Sequence, residues 1–492
     1  MKDIEFVNLA PAGIYHKLNK RNREMLKYSE PLGILYLASY LRQEGFDVDL
    51  LDINVGRDSL SPKEIAEICV DNAKTVALPS YTQTNKELME ISHEIKTINN
   101  QTKIIAGGPH ATFEDESLLS DGFVDFVIRK EGEYTLVELL RFLKTGDGDL
   151  KDILGLSYLE GDKLVRTSDR PFIENLDLIP FPARDLITPE YYKTGGKLSL
   201  ITARGCPFEC VFCVAPYYWD RKVRFRNPEN ISEEIDDFLD KYRKILPKYF
   251  KINFVDDNFT AGGIKRVNKL TEVMKKFEIN YDIYSRVDTI NDEIAELLYS
   301  SGCNIVRFGI ESGSERILSM MKKYQSPEKI EKAIEIAKKH RLIAHGSFII
   351  GYPTETEEEV HQTIDFSTKL PLDFAFYFTA IPYPGTELYS KFASEESNID
   401  YENFSKLMSR ANLFSENTST LSSQRKIELM EEAYHQFYIR GGKCLPPKDY
   451  EQITDPLEKV ASLQNVILEE YFKNQNPDAK SDSKINGDMN GY

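Results

Sequence analysis

The sequence predicts an α/β protein in three parts: an N-terminal doubly wound parallel-sheet (Rossmann-like) domain, a partial or full (β/α) barrel, and a mostly helical C-terminal region. Three observations lead to this prediction. Short apolar runs alternate with helical patterns through the first 145 residues, a second such series begins at Lys197, and helical patterns dominate from about Pro382. The 492 residues also exceed what one core usually holds, so several domains are expected.

The domain boundaries follow shifts in composition along the chain. An irregular segment contains Pro171, Pro180, Pro182 and Pro189, which is typical of a linker. The end of the chain is rich in Asn, Asp, Lys, Ser and Gly, and this composition predicts a disordered tail. The predicted parts are the N-terminal domain at 1–148, the linker at 149–194, the barrel at 195–385, the helical region at 386–472 and the tail at 473–492.

The N-terminal domain contains five strand candidates, at 4–9, 48–52, 76–78, 103–106 and 123–128. Sheets wound in this way bind ligands at the carboxyl ends of their strands. Glycines at those ends let the backbone approach a bulky ligand closely. The candidate binding residues at these ends are Ser80, Thr82, Gly107, Gly108, Glu131 and Gly132.

The barrel contains six strand candidates, at 198–202, 251–255, 281–285, 305–310, 344–350 and 373–380. Between them, Ser326 and Pro327 predict the start of one helix, and Thr354 followed by glutamates predicts the start of another. Active sites of such barrels lie at the carboxyl ends of the strands. We therefore expect the catalytic residues just after each strand.

Three cysteines follow the first barrel strand directly. Cys206, Cys210 and Cys213 have the spacing C-x3-C-x2-C, so three thiolates can hold three corners of one metal cluster. An iron–sulfur cluster normally has four cysteine ligands, and a set of three predicts an open iron that binds something else. The alternative is a structural zinc site, which needs a fourth ligand such as Cys303 or Cys444.

The composition excludes several classes of function. The formal charge of 62 minus 79, or −17, repels nucleic acid and anionic membranes, so no nucleic-acid partner is expected. No apolar run has the length of a membrane span, and the first residues lack the pattern of a signal peptide. Six cysteines, three of them in one motif, favour a reducing cytoplasm over a disulfide framework.

The cysteine motif, with Phe212 just before its last cysteine, resembles the radical S-adenosylmethionine (SAM) superfamily. Segments 254–259, 285–286, 309–313 and 351–353 resemble later strand ends of the same superfamily. The resemblance implies a [4Fe–4S] cluster whose open iron binds SAM. It also implies one-electron reduction by a donor of the flavodoxin or ferredoxin type, which releases a 5′-deoxyadenosyl radical.

The resemblance implies that Asp256, Asp257, Arg286 and Glu311 hold SAM. Acidic side chains suit its cationic sulfonium and ammonium groups, and an arginine fork suits its carboxylate. The alternative for Asp256 and Asp257 is that they cap the following loop. For Glu311 the alternative is a structural role at the barrel rim.

A doubly wound domain before such a barrel resembles the cobalamin-binding branch of the superfamily, and the matching segments are 28–34, 107–111 and 131–133. The resemblance implies cobalamin at the strand ends of the first domain. The alternative is a flavodoxin-like domain that binds another nucleotide or nothing. The chain lacks an Asp-x-His-x-x-Gly loop, which implies a cobalt without a lower histidine ligand, and His110 is expected as a loop residue near the corrin.

The function that the resemblance implies is methyl transfer to a radical-activated carbon of a small or lipid-like substrate. One SAM supplies the radical that removes a hydrogen atom, methylcobalamin supplies the methyl group, and a second SAM remethylates the cobalt. One alternative is a cyclase or oxidative enzyme with the same cofactors and no methyl transfer. Another is a non-catalytic sensor that binds the cofactors.

Overall fold

The computed structural model describes residues 1–9, 30–54, 60–392, 420–447 and 450–475. Residues 10–29, which include His16, lie outside these ranges, and so does the predicted tail beyond Gln475. The first three residues of the predicted tail, 473–475, belong to helix Pro456–Gln475. Within the described part of the chain, no helix combines the length and apolar character needed to cross a bilayer.

The N-terminal domain is built on a sheet whose first five strands are parallel, in the order β2-β1-β3-β4-β5. These strands are β1 (Ile4–Asn8), β2 (Val48–Asp52), β3 (Thr75–Pro79), β4 (Lys103–Gly107) and β5 (Phe126–Ile128). The order reverses between β1 and β3, and ligands of doubly wound sheets bind at such a reversal. The predicted strands are therefore confirmed, with small shifts in their ends.

Helices cover both faces of this sheet. They are α1 (Leu32–Gln43), α2 (Pro62–Asn72), α3 (Asn85–Ile98), α4 (Pro109–Phe113), α5 (Asp115–Ser120) and α6 (Glu133–Thr145). Phe6 belongs to the apolar cluster that includes α1 and α6, whereas its neighbour Val7 belongs to the cluster that includes α2 and α3. Successive strand residues point to opposite faces, so a buried parallel strand supplies both cores.

The segment predicted as a linker, 149–194, is not irregular throughout. It contains β6 (Leu156–Glu160) and β7 (Lys163–Arg166), which extend the first sheet as antiparallel strands. The turn between them contains Gly161 with a φ of +63°, a typical hairpin position for glycine. The prediction missed this hairpin because its strands are short and β7 is largely exposed, while the prolines that suggested a linker follow it.

The second domain contains a six-stranded parallel sheet whose strands are neighbours in chain order. The strands are β8 (Lys197–Leu200), β11 (Lys251–Phe254), β12 (Tyr281–Ser285), β13 (Cys303–Glu311), β14 (Ile343–Ile350) and β15 (Phe374–Thr379), and a short antiparallel pair consists of β9 (Ala203–Arg204) and β10 (Arg224–Phe225). Among the described residues β8 and β15 do not pair with each other. The barrel is therefore partial.

Apart from the first and the last, the helices of this domain lie between its strands. They are α7 (Glu190–Lys193), α8 (Ala215–Tyr218), α9 (Pro228–Tyr242), α10 (Gly263–Phe277), α11 (Asp292–Ser300), α12 (Glu315–Met320), α13 (Pro327–Lys339), α14 (Glu357–Lys369) and α15 (Glu387–Phe392). The predicted start of α13 is confirmed, since Ser326 caps its first turn. Helix α14 begins three residues after Thr354, because Thr356 and Glu359 form a capping box while Glu355 accepts a hydrogen bond from Gly351 N instead.

The C-terminal region covers the open edge of the partial barrel. It contains α16 (Ser423–Tyr434), continued by a π-helical turn at His435–Arg440, and α17 (Pro456–Gln475). The Tyr438 hydroxyl accepts a hydrogen bond from Ala375 N (3.0 Å) and donates to Ala375 O (2.9 Å). The Tyr434 hydroxyl likewise accepts a hydrogen bond from Tyr377 N (3.2 Å) and donates one to Tyr377 O (3.3 Å). Two phenols thus satisfy edge groups of β15 that a further strand would otherwise pair.

Replacement of Tyr438 by Phe should lower the free energy of unfolding by about 2 kcal/mol, because it leaves a buried N–H and C=O of Ala375 unpaired. Urea unfolding of the purified protein measures this change. The matched control is Tyr299→Phe, since Tyr299 is exposed on α11. We expect this control to change stability by less than about 0.5 kcal/mol. Equal effects of both variants would contradict the edge-capping role.

Candidate functional site

The strand ends of the first sheet face the second domain across a cavity of about 580 Å³. The first domain lines it with Gly107, Gly108, Glu131 and Gly132, all predicted from the sequence, and the second domain contributes Asp257. Its floor is formed by apolar residues of the first domain, namely Phe6, Ile34, Leu37, Ala77, Ile105, Ile128 and Leu136. The cavity therefore brings together predicted residues from both domains.

Glycines form the wall of the cavity for steric reasons. Gly108 has a φ of +106°, and a Cβ there would lie 3.0 Å from the carbonyl oxygen of Ser80. A Cβ on Gly132 would lie 3.2 Å from Leu37 Cδ2. A larger residue at Gly108 would be strained and crowded, so this turn requires glycine.

Ser80 and Thr82 do not line the cavity, although the sequence predicted them as binding residues. Ser80 is fully buried, and its backbone pairs with Gly107 O (2.6 Å) and His110 N (3.1 Å). The Thr82 hydroxyl lies 3.2 Å from His110 Nδ1. Both residues therefore hold the Gly107–His110 turn in place, one layer behind the cavity wall.

Among the described residues, no histidine lines the cavity. His110 is buried beside Thr82, and burial lowers its pKa to about 4, so the imidazole is neutral. The expectation that His110 is a loop residue is wrong in detail, because His110 is the second residue of helix α4. A cobalt without a lower histidine ligand stays a prediction.

Glu131 lies at the cavity but is already paired. Its carboxylate accepts hydrogen bonds from Arg204 Nη1 (2.6 Å), Arg224 Nη1 (2.7 Å) and Ile173 N (2.9 Å). Arg204 also reaches Glu133 at 2.7 Å. Because both arginines flank the cysteine loop, these buried pairs tie the first domain to the base of that loop, and Glu131 serves as an anchor.

A second anchor between the domains is Glu30, which lies in one of the segments that resemble the cobalamin-binding branch. Its carboxylate accepts hydrogen bonds from Arg184 Nε and Tyr192 Oη, both at 2.8 Å, and from the backbone N of Ser199 in β8. Sequence reasoning did not assign this role, since its partners are more than 150 residues away.

The cysteine loop is closed at its base by the pairing of β9 with β10. Gly205 makes this closure possible, because it has a φ of +108° and a Cβ there would lie 1.9 Å from Lys222 O. Asp256 fixes the start of the loop by accepting hydrogen bonds from Thr202 N (2.6 Å), Ala203 N (3.1 Å) and the Thr202 hydroxyl (2.5 Å). Both oxygens of Asp256 are thus used inside the protein, although at the start of the cysteine loop and not at the loop that follows Asp256 in the chain.

The three cysteines of the loop are free thiols, the donor type that holds iron–sulfur clusters. Cys206 and Cys210 are buried, and Cys213 is partly buried. Among the described residues no group of three or more His, Cys, Asp or Glu side chains is close enough to hold one metal ion. Burial raises the pKa of Cys206 to about 11 and that of Cys213 to about 12, so they would ionise only when a cation binds.

Asp257 points into the cavity, unlike its neighbour. The Gly205 N–H and the Trp219 indole act to lower the pKa of Asp257. Its side chain is accessible through the cavity, yet surrounding protein and the nearby Asp256 raise its pKa to about 6. Asp257 is therefore the better placed of the two aspartates to meet a cationic ligand at the loop.

Glu311 is held at the rim of the barrel in an unusual conformation. It has a φ of +72° beside a register shift in β13, and its carboxylate accepts a hydrogen bond from Lys323 Nζ at 2.7 Å. A Cβ on Gly309 would lie 2.5 Å from the Glu311 carboxylate and 2.9 Å from Lys323 Nζ, so the pair needs glycine there. Strain of this kind is common at functional sites.

Lys323 was missed by the sequence reasoning. It is only 5% exposed, although it stands beside Lys322 in a polar turn. Its ammonium group pairs with Glu311 and lies 5.9 Å from the ring centre of Phe212 in the cysteine loop. Two adjacent lysines usually indicate an exposed turn, so only the fold reveals which one is buried.

Arg286 lies under the cysteine loop, where it contacts Cys210 and Phe208. Its Nη1 is 3.3 Å from Cys210 Sγ, and its guanidinium carbon is 3.7 Å from the ring centre of Phe208. Its other donors reach Asp288 and Lys323 O. The structure thus brings Cys206, Cys210, Cys213, Arg286 and Glu311 together around one loop.

Comparison with known proteins gives matches in both domains. The B12 binding domain family matches residues 22–140, and the radical SAM superfamily matches residues 200–367. An uncharacterized methyltransferase of Pyrococcus horikoshii is 35% identical over 415 residues, which are 83% of this chain and 88% of the relative. A putative methylthiotransferase of Methanocaldococcus jannaschii is 30% identical over 387 residues, 75% of this chain and 79% of that protein.

A similar fold occurs in the radical SAM methyltransferase TsrM from Kitasatospora setae. Its structure with cobalamin and a [4Fe-4S] cluster bound has a TM-score of 0.63 at 19% identity and covers 79% of this chain and 74% of that chain. Its structure with tryptophan substrate and a SAM analogue has a TM-score of 0.66 at 17% identity and covers 97% and 99%. From the order of the two domains and the identity over most of both chains, we conclude that this chain is an enzyme of the cobalamin-binding radical SAM family, whose cofactors are a [4Fe–4S] cluster, SAM and cobalamin.

Proposed function

We propose that this enzyme transfers a methyl group to a radical-activated carbon of a small or lipid-like substrate. The observation that carries this proposal is the shared cavity. Residues on both sides of the three cysteines (Ala203, Arg204, Val214 and Ala215) line the same space as the glycine strand ends of the first domain. A substrate between the two walls would be within reach of both cofactor sites.

When bound, the cluster and SAM supply a 5′-deoxyadenosyl radical, and cobalamin supplies the methyl group. In our proposal Cys206, Cys210 and Cys213 ligate three irons. Asp257 would accept hydrogen bonds from the SAM ammonium group, because it is the accessible carboxylate next to the loop. The buried pair of Glu311 and Lys323, which lies near Phe212 of the loop, would offer both charges to SAM.

In this proposal the first domain binds cobalamin and sets its distance from the cysteine loop. Gly107, Gly108 and Gly132 keep the wall free of side chains so that the corrin approaches the backbone. Glu131 and Glu133 hold Arg204, and through it the start of the cysteine loop, in a fixed position relative to that wall. Correct spacing of the two cofactors then depends on these buried ion pairs.

The substrate and the electron donor complete the proposal. The structure of the similar TsrM contains tryptophan, and we propose a small-molecule substrate here as well. Reduction of the cluster needs a one-electron donor, for which we propose a protein of the flavodoxin or ferredoxin type. We also propose the cytoplasm as the location, because cluster ligands must stay reduced.

Counting the products of SAM tests methyl transfer. The protein, loaded with cluster and cobalamin, is incubated anaerobically with SAM, reductant and candidate substrates. Methyl transfer predicts a methylated product together with equal amounts of 5′-deoxyadenosine and S-adenosylhomocysteine. Formation of 5′-deoxyadenosine and a changed but unmethylated product would instead establish a cyclase or oxidative enzyme.

A further inference from the structure

Arg286 was expected to form a fork with the SAM carboxylate, but its donors are engaged elsewhere. Nε and Nη2 donate to the two oxygens of Asp288 at 2.9 and 2.7 Å, and Nη2 also donates to Lys323 O at 2.7 Å. A bidentate grip on a carboxylate needs two parallel N–H groups, and Asp288 already occupies such a pair. The remaining nitrogen, Nη1, faces Cys210 Sγ at 3.3 Å.

The surroundings hold the guanidinium in this position. Arg286 is 6% exposed and packs on the ring of Phe208, which lies between Cys206 and Cys210 in the loop. Asp288 and the Lys323 carbonyl fix the plane of the guanidinium from the other side. The contact with the sulfur is therefore built into the fold through three separate groups, the Phe208 ring, Asp288 and the Lys323 carbonyl.

We propose that Arg286 is a positioning residue for the cluster, which donates an N–H···S hydrogen bond to Cys210 and raises the reduction potential of the cluster. This inference rests on the cluster site of the proposed function. Reduction adds negative charge to a cluster and its thiolates, so a nearby cation and an N–H donor stabilise the reduced form. Asp288 opposes this effect because its carboxylate partly neutralises the guanidinium.

Two variants with opposite expected effects test the proposal. Arg286→Met removes the donor and the charge, and we expect a more negative potential. Asp288→Asn removes the opposing carboxylate, and we expect a less negative potential. The potential is measured by a redox titration followed by electron paramagnetic resonance, on cluster-loaded protein without SAM, after iron and sulfide have been counted. Arg286→Lys should restore part of the shift, since it keeps a cation.

The matched control is Arg221→Met. Arg221 belongs to the same region but pairs with Glu209 of the loop at 3.0 Å and is 55% exposed, so its removal should leave the potential close to that of the wild type. The affinity of the Arg286→Met variant for SAM should change less than about threefold, well below the roughly tenfold or greater loss expected when a charge-assisted hydrogen bond to the ligand is removed.

Several results would overturn the proposal. An unchanged potential in Arg286→Met, or a shift of the same sign in Asp288→Asn, would contradict it. A large loss of SAM affinity with an unchanged potential would show that Arg286 binds the SAM carboxylate instead. If Arg286→Met holds no cluster, Asp288→Asn alone decides by the sign of its shift. Wild-type protein without iron would refute the cluster site itself, and this inference with it.

Discussion

Replacement of Cys210 by Ala should abolish reductive cleavage of SAM and most of the cluster. The three cysteines occupy one loop, and Cys210 is one of the two that are buried. Cys210 is also the thiol that Arg286 contacts, so its loss removes the anion that this buried cation faces. We expect loss of activity by several orders of magnitude, measured as 5′-deoxyadenosine formed after anaerobic reconstitution with iron and sulfide.

Cys303→Ala and Cys444→Ala are the controls for this prediction. Cys303 is buried at the start of β13, and Cys444 follows the π-helical turn of the C-terminal region. Both should retain iron, sulfide and SAM cleavage, although the buried Cys303 variant will be less stable. SAM cleavage that survives in Cys210→Ala would refute the cluster assignment, and loss of iron in either control would show that a fourth cysteine ligates the metal.

Replacement of Gly33 by Phe should abolish cobalamin binding and leave SAM cleavage intact. Gly33 lies in α1 with its face toward the cavity, and a Cβ there meets no atom within 4 Å. A phenyl ring would therefore occupy space in the cavity without a backbone clash. Methyl transfer should then disappear while 5′-deoxyadenosine still forms, because the cysteine loop lies on the opposite wall. Cobalamin retained after gel filtration, read by its absorption, measures the effect.

Gly33→Ala is the matched control, since a methyl group fits the open space and alanine suits a helix better than glycine does. It should bind cobalamin as the wild type does and be slightly more stable. Normal cobalamin binding by Gly33→Phe would place the cofactor elsewhere. Loss of SAM cleavage together with cobalamin would instead show that the two sites cannot be separated in this way.

The parts of the fold that could be predicted are those whose sequence patterns lie within one segment of the chain. The two series of strands and helices follow from apolar patterns within each segment, and the cysteine loop is contiguous in the chain. Strand ends could be identified as the site because parallel strands end at one edge of a sheet. The hairpin of β6 and β7 lacked such a signal, since its short strands are stabilised by pairing with β5, which is distant in sequence.

The roles of single side chains were harder to predict, because they depend on partners far away in the chain. Asp256 and Arg286 were both expected to contact SAM, and the structure gives them partners at Thr202 and Asp288 instead. Glu131 was expected at a cofactor and lines the cavity, but two arginines from the other domain occupy its carboxylate. A sequence shows residue type and periodicity, whereas charge pairing across domains appears only in the folded chain.

The most direct test of this account is anaerobic reconstitution of the whole protein with iron, sulfide and cobalamin, followed by metal analysis and absorption spectroscopy. One chain should bind about four irons and four sulfides, as expected for one [4Fe–4S] cluster. It should also bind one cobalamin, whose spectrum should indicate a cobalt without a histidine ligand. A protein that binds one zinc per chain, or a cluster without cobalamin, would contradict the claim that the two cofactors share this cavity.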